Sequence, residues 1–217
     1  MRLARRTALG VLGAALMPVH AQARKLTIAA ASDLRFALDE AMRAFRAVHA
    51  DARIEVVYGS SGKLATQIRH GAPFDVFLSA DREFADALHR DGFAAGAPRL
   101  YARGHLVAWS TDASLGRLPL ADLVRDARVQ RFAIANPEHA PYGRRAVEAL
   151  RSQGQWDAVQ PKLVLGENIA QAVQFVQTGA AQAGLVALSL VLAPALAGKG
   201  AYTRVPEAWH SPLEQSM

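Results

Sequence analysis

The stretch that decides the fold is Leu26-Thr27-Ile28-Ala29-Ala30-Ala31, near the start of a chain of 217 residues. It is a short apolar run, which predicts a buried strand. A serine follows it, and apolar side chains then recur at helical spacing, at Leu34, Leu38, Met42, Phe45 and Val48. A buried strand that leads directly into an amphipathic helix is the repeating unit of α/β proteins. The start of the chain therefore favours this fold class.

The same alternation of strand and helix continues along the chain. Further strands are predicted at residues 54–58, 75–78, 105–109, 131–135, 162–165 and 184–187, with helical patterns between most of them. Such alternation predicts mostly parallel sheets flanked by helices. Because the rhythm restarts near Tyr101, we expect two α/β lobes of similar size. We place lobe 1 at residues 24–100 and lobe 2 at 101–204, with residues 205–217 returning towards lobe 1.

The first 23 residues have the pattern of an export signal. Three arginines before residue 7 precede an apolar stretch at residues 8–17, and small residues follow at Ala21 and Ala23. The apolar stretch is about ten residues, too short to cross a bilayer, which takes about 20. We therefore expect residues 1–23 to be a signal peptide and the mature chain to be periplasmic. A buried first helix is the alternative, and the pair Arg5-Arg6 leaves Sec and twin-arginine export both open.

Charge and cysteine content exclude several classes of function. Three of the 25 Lys and Arg residues precede residue 24, which leaves 22 against 19 acidic residues. These charges are scattered, so no basic stripe for nucleic acid is present and no nucleic-acid partner is expected. The chain has no cysteine, which excludes disulfides, thiolate metal sites, a cysteine nucleophile and a lipid-anchored cysteine.

Small or hydrogen-bonding residues follow several predicted strands. They are Ser32, Ser60-Ser61-Gly62, Pro141-Tyr142-Gly143 and Gly166-Glu167-Asn168-Ile169. In open α/β sheets, ligands bind beyond the carboxyl ends of strands, where helices begin. Helix N-termini hold anions through unpaired backbone N–H groups, and the hydroxyls of Ser32, Ser61 and Tyr142 add neutral donors. Taken singly, each serine is better explained as a helix N-cap. The combination in both lobes predicts a cleft for a small oxyanion.

Longer segments around these junctions resemble the periplasmic molybdate-binding proteins of ABC transporters. The similar segments are Ala29-Ala30-Ala31-Ser32, Gly59-Ser60-Ser61-Gly62-Lys63-Leu64-Ala65-Thr66-Gln67-Ile68, Gly71-Ala72-Pro73-Phe74-Asp75-Val76-Phe77-Leu78-Ser79-Ala80-Asp81, Asn136-Pro137-Glu138-His139-Ala140-Pro141-Tyr142-Gly143 and Gly166-Glu167-Asn168-Ile169-Ala170-Gln171-Ala172. The resemblance extends from residue 26 to about residue 206. It implies a two-lobed periplasmic-binding-protein fold of type II that closes around molybdate or tungstate and delivers the ion to a membrane permease.

The resemblance also implies roles for individual residues. Ser32 and Ser61 would bind the anion through hydroxyl and backbone donors, Tyr142 would contribute a donor, and Ile169 would contribute its backbone N–H. It implies a monomer that is not an enzyme and has no catalytic residue, no cofactor and no direct cation site, because the metal arrives as an oxyanion.

Three features depart from the family pattern. Asp33 follows Ser32, so a carboxylate either lies beside the anion or points outward and favours the helix N-terminus. The segment at residues 184–189 has no tyrosine, where some members use one, although Tyr142 could compensate. The chain stops at Met217, before elements that members of the family place in the first lobe, so we expect a shortened C-terminal part.

The same residues leave other functions open. Ser60 or Ser61 with His105 and an aspartate could form a hydrolase triad, but no G-x-S-x-G elbow is present. An organic anion with a carboxylate normally requires an arginine that binds both carboxylate oxygens. Arg35 and Arg144 belong to the proposed loops, but each lies a residue or more inside a predicted helix. Sulfate is the closest alternative cargo, because neutral donors serve it equally well.

Overall fold

A computed structural model describes residues 25–217 of the chain. The predicted signal peptide lies outside the described residues. Within the described part, no helix is both long enough and apolar enough to cross a membrane.

The first sheet contains the apolar strand at residues 26–31. Its three parallel strands lie in the order β2-β1-β3. The bounds are β1 (Leu26–Ala31), β2 (Ile54–Gly59) and β3 (Val76–Leu78), and the helices that follow them are α1 (Arg35–Val48), α2 (Ser61–Arg69) and α3 (Arg82–Arg90). A short 3₁₀ turn, Ser32–Leu34, separates β1 from α1.

Two strands that the hydrophobic pattern did not predict extend this sheet. They are β4 (Leu100–Gly104) and β10 (Leu213–Ser216), which pair antiparallel. Ser79, just after β3, exchanges two backbone hydrogen bonds with Ser216, at 2.8 and 3.1 Å. The C-terminal strand therefore lies between β3 and β4. We call this sheet and α1–α3 lobe 1.

The second sheet has five strands in the order β7-β6-β8-β5-β9. The strands are β5 (Leu106–Ser110), β6 (Phe132–Ala135), β7 (Leu163–Gly166), β8 (Ala183–Ala187) and β9 (Ala201–Arg204), and the helices are α4 (Ala113–Gly116), α5 (Leu120–Arg125), α6 (Pro141–Ser152), α7 (Trp156–Val159), α8 (Ile169–Gln177) and α9 (Leu188–Val191). Only β5 runs against the other four strands, because it pairs antiparallel with both β8 and β9. We call this sheet and its helices lobe 2.

The apolar core is concentrated in lobe 2. Trp109, Phe132, Ile134 and Leu185 are fully buried there. The indole N–H of Trp109 donates to the carbonyl oxygen of Lys199 at 3.1 Å, which satisfies its polar group. In lobe 1 the inner strand β1 is buried, whereas α1 has no buried residue. Lobe 2 thus supplies most of the apolar burial that stabilises the described chain.

The chain passes from the first sheet to the second at His105, between β4 and β5, and returns between β9 and β10. Two connections thus join the lobes. The crossing lies slightly beyond the predicted one near Tyr101, and the exact limits of the lobes stay a prediction. The predicted fold class, α/β with mostly parallel sheets flanked by helices, is confirmed.

Candidate functional site

One small cavity lies where the two lobes meet. It is lined by Ala31, Ser32, Asp33, Gly59, Ser60, Ser61, Ala80, Ala140, Pro141, Tyr142 and Ile169. The four residues predicted as ligands are therefore brought together, two from lobe 1 and two from lobe 2. The cavity volume is about 10 Å³, close to the minimum that one enclosed water needs. Their role as ligands stays a prediction.

The two serine hydroxyls are held by backbone donors from neighbouring segments. The N–H of Ala80 donates to Oγ of Ser61 at 2.9 Å, and the N–H of Ala170 donates to Oγ of Ser32 at 3.3 Å. A hydroxyl that accepts in this way still has its own proton to donate. Both serines are buried and line the cavity, so each can offer an O–H group to a ligand there.

Three helices begin at the cavity. Ser61 is the first residue of α2, Pro141 of α6 and Ile169 of α8. The first backbone N–H groups of a helix have no acceptor within that helix, and they carry the positive end of the helix dipole. Pro141 suits the first position of α6 because proline lacks the N–H that would be unpaired there. The site therefore attracts an anion through neutral groups.

Tyr142 enters the cavity from the first turn of α6. It is almost completely buried, and burial beside Asp33 raises its pKa well above the usual value, so the phenol keeps its proton. Its O–H group donates to Oδ2 of Asp33 at 3.3 Å, across the boundary between the lobes. The side-chain amide of Gln215 donates to the same phenol oxygen, also at 3.3 Å.

Asp33 points into the protein, and the alternative that it points outward is wrong. Only 3% of the residue is exposed, because the 3₁₀ turn that contains it packs against α8 and α9. Oδ2 accepts from the Gln215 side chain at 2.6 Å, while Oδ1 is buried without a hydrogen-bond partner among the described residues. Burial, opposed by the hydrogen bonds from Gln215 and Tyr142, raises the pKa of Asp33 to about 6.

Direct contacts near the cavity hold the lobes together. The N–H of Gly62 donates to the carbonyl oxygen of His139 at 2.9 Å, and Oγ of Ser60 lies 2.8 Å from Nδ1 of His139. The hydroxyl of Ser189 donates to the carbonyl oxygen of Asp33 at 2.9 Å. The structure is thus that of a closed cleft.

Three ion pairs cross the same cleft. Arg145 of α6 binds Asp81, the N-cap of α3, at 2.6 Å, and both side chains are largely buried. Arg144 binds Glu83 at 3.3 Å, and Lys63 binds Glu167. None of these six side chains lines the cavity, so the charges surround the site without entering it.

The serine triad considered from the sequence is not assembled. His105 pairs with Glu207 at 3.2 Å, and no hydrogen bond joins it to either serine within residues 25–217. His139 is the partner of Ser60. Its other ring nitrogen lies 3.9 Å from Glu167, too far for the hydrogen bond that orients a catalytic histidine.

Sequence reasoning missed Gln215 and left Asp33 unresolved. Asp33 could have been assigned to the site from its position directly after Ser32. Gln215 gave no local signal, because its contact with Asp33 joins residues 182 positions apart and depends on where β10 pairs.

Comparisons with known proteins agree with this geometry. The model of the bacterial extracellular solute-binding protein family matches residues 26–217. The chain is 37% identical to the molybdate-binding protein ModA of Azotobacter vinelandii over 205 residues, 94% of this chain and 81% of that protein. It is 39% identical to ModA of Rhodobacter capsulatus over 165 residues, 75% of this chain and 63% of that protein. The match thus spans less than two thirds of the Rhodobacter relative.

A solved structure gives the same result for the fold. The periplasmic molybdate-binding protein of Azotobacter vinelandii superposes with a TM-score of 0.82 and 29% identity, over 88% of this chain and 84% of that one. The two-lobed fold of a periplasmic binding protein is thereby confirmed. The chain belongs to the family of bacterial extracellular solute-binding proteins, in the group of the periplasmic molybdate-binding proteins.

Proposed function

We propose that this chain captures molybdate, or the similarly shaped tungstate, between its lobes and delivers it to the permease of an ABC transporter. The observation that carries the proposal is the convergence of Ser32, Ser61, Tyr142 and Ile169, from both lobes, on one small cavity. The molybdate-binding relatives add the identity of the anion.

The chemistry of the cavity suits a fully oxygenated anion. Two serine hydroxyls, the Tyr142 phenol and backbone N–H groups at three helix starts are hydrogen-bond donors without charge. Hydrogen bonds to a charged acceptor contribute about 1.5–3 kcal/mol each, so several together hold a dianion without a cation. No arginine or lysine among residues 25–217 lines the cavity, which leaves the bound ion free to be released to the permease.

Capture follows from motion of the lobes about their two connections. Opening separates the contacts from Gly62 to His139 and from Asp81 to Arg145 and exposes the helix starts. An anion that enters is then held by donors from both lobes, which favours closure. The closed surface is the form that a permease would recognise.

An organic carboxylate is a poorer fit. Arg144 is occupied by Glu83 and lies 5.0 Å from the centre of the Phe84 ring, and Arg35 is in the first turn of α1. Neither lines the cavity, so no arginine fork is available to a carboxylate ligand.

The proposal includes the setting in which the chain acts. It places the mature chain in the periplasm as a monomer that performs no chemistry on its ligand. It assigns no cofactor, no direct cation site and no nucleic-acid partner. The membership of an extracellular solute-binding family supports an exported protein.

Ligand-induced stabilisation tests this function. A ligand that binds only the folded chain raises the stability by about 2.7 kcal/mol at 100 times its Kd. We expect micromolar molybdate and tungstate to raise the melting temperature, and sulfate and phosphate at equal concentration to have little effect. An equal rise with all four anions would contradict the assignment of molybdate or tungstate as the specific ligand. No rise with any of them would contradict the receptor function.

A further inference from the structure

Asp33 is a carboxyl group inside a site for anions. It lines the cavity beside Ser32, Ser61 and Tyr142, and its Oδ1 is buried without a partner among residues 25–217. A dianion and an ionised carboxylate in the same small closed space repel each other. Since the two cannot both be present at low cost, a proton has to accompany the anion.

We infer that Asp33 meets the bound anion as a neutral carboxylic acid, so that capture of an unprotonated dianion takes up one proton. The inference rests on the proposed function and deepens it. The residues of the site bind oxygen atoms of the anion, and no metal ligand is involved.

The single hydroxyl proton of Tyr142 supports a protonated Asp33, because it cannot be donated to Asp33 and to the anion at once. The phenol has a single proton, which it now donates to Oδ2 of Asp33. If Tyr142 turns this proton to the anion, Asp33 keeps only the hydrogen bond from Gln215. An ionised Asp33 would then have lost the hydrogen bond from Tyr142 while the negatively charged ligand lies beside it. A protonated Asp33 instead has an O–H group to donate.

The groups around Asp33 provide no positive charge. From β4 and α6 the neighbouring titratable groups are Tyr101 and Tyr142, both neutral, and burial is the main cause that raises both pKa values. Gln215 of β10 and Ser189 of α9 are uncharged. No salt bridge of the described residues includes Asp33. Burial already raises the pKa of this carboxyl to about 6, and a nearby anion raises it further.

The consequence is a characteristic pH dependence. Above pH 6 the free chain carries an ionised Asp33, so each binding event takes up a proton and affinity falls by up to about tenfold per pH unit. At lower pH the carboxyl is already protonated, and the affinity becomes constant.

Calorimetric titration with molybdate tests the inference. The full chain is titrated between about pH 6.5 and 8.5 in buffers with different ionisation enthalpies, which gives the number of protons taken up. The variants are Asp33→Asn, which has a neutral donor at the same place, and Asp157→Asn, an exposed acid of lobe 2 that serves as control.

We expect the wild type and Asp157→Asn to take up close to one proton and to lose affinity as the pH rises. Asp33→Asn should take up none, show a flat profile and bind more tightly than the wild type at pH 8.5. Tight binding by the wild type without proton uptake would overturn the inference and leave the receptor function intact. Uptake that persists in Asp33→Asn would assign the proton to another group, such as His139. Absence of binding by both folded proteins would overturn the proposed function together with the inference.

Discussion

The backbone N–H of Gly62 donates to the carbonyl oxygen of His139 at 2.9 Å, so the first turn of α2 in lobe 1 directly contacts a loop of lobe 2. This approach requires a residue without a side chain. A Cβ atom at position 62 would lie 2.6 Å from that carbonyl oxygen, closer than such atoms come in proteins. Closure of the cleft therefore depends on Gly62, next to the proposed ligand Ser61.

The substitution Gly62→Ala should prevent full closure. The clash exists only when the lobes meet, so the fold of each lobe should persist while the affinity for molybdate falls at least about tenfold, or about 1.4 kcal/mol. Titration calorimetry and circular dichroism measure the two effects separately. Gly96→Ala is the matched control, because a Cβ there would meet nothing within 4 Å. Unchanged affinity in Gly62→Ala would show that ligand binding does not need this contact.

Removal of either serine hydroxyl should weaken binding. Ser61→Ala and Ser32→Ala each delete one donor to a buried anionic oxygen, worth about 2 kcal/mol or roughly 30-fold in Kd. Ser211→Ala, at an exposed position, is the control. Equal Kd values for Ser61→Ala and the control would remove Ser61 from the ligand set.

The ion pair between Arg145 and Asp81 should stabilise the closed form more than the fold. Arg145→Met leaves a buried Asp81 without its cation, at a cost of roughly 3 kcal/mol if the cleft stays closed. Opening rehydrates Asp81, so we expect weaker ligand binding and only a small change in melting temperature. Adding Asp81→Asn, which keeps an N-cap on α3, should recover part of the affinity. A double variant no better than Arg145→Met would contradict this account.

The buried Asp33 should make stability depend on pH. Its pKa rises from 3.8 to about 6 on folding, so the folded chain holds more protons and loses stability as the pH rises through this window. The loss is at most about 3 kcal/mol, and less where the free cleft opens and hydrates the carboxylate. Asp33→Asn should therefore melt higher than the wild type at pH 8, and the difference should shrink towards pH 4. If the difference in melting temperature between the two proteins stayed constant from pH 4 to 8, burial would not perturb the pKa of Asp33.

Much of the fold could be predicted because the inner strands have a local pattern. Residues 26–31 are a short, mostly apolar run followed by Ser32, and residues 54–59 are a mostly apolar run that ends in Gly59. Each leads into a helix. By contrast, β4 and β10 contain polar and charged residues such as Arg103 and Glu214, which form a partly exposed ion pair with each other. Their pairing joins segments more than 100 residues apart and left no periodic pattern to detect.

The site was predicted only as a set of donors at strand ends. Ser32, Ser61 and Tyr142 follow from the rule that ligands bind beyond the ends of strands, where helices begin, whereas the role of Ile169 was implied by the resemblance to molybdate-binding proteins. The direction of the Asp33 side chain could not be predicted, because it depends on Gln215 and Tyr142, which approach from distant parts of the chain. The contact between Ser60 and His139 likewise exists only because the lobes close.

Isothermal titration of the purified chain with molybdate tests the central claim most directly, with tungstate, sulfate and phosphate as parallel titrants. The account predicts that one molybdate or one tungstate binds per chain, while sulfate and phosphate give no heat of binding at the same concentrations. A chain shown to be folded by circular dichroism that binds neither molybdate nor tungstate would contradict it.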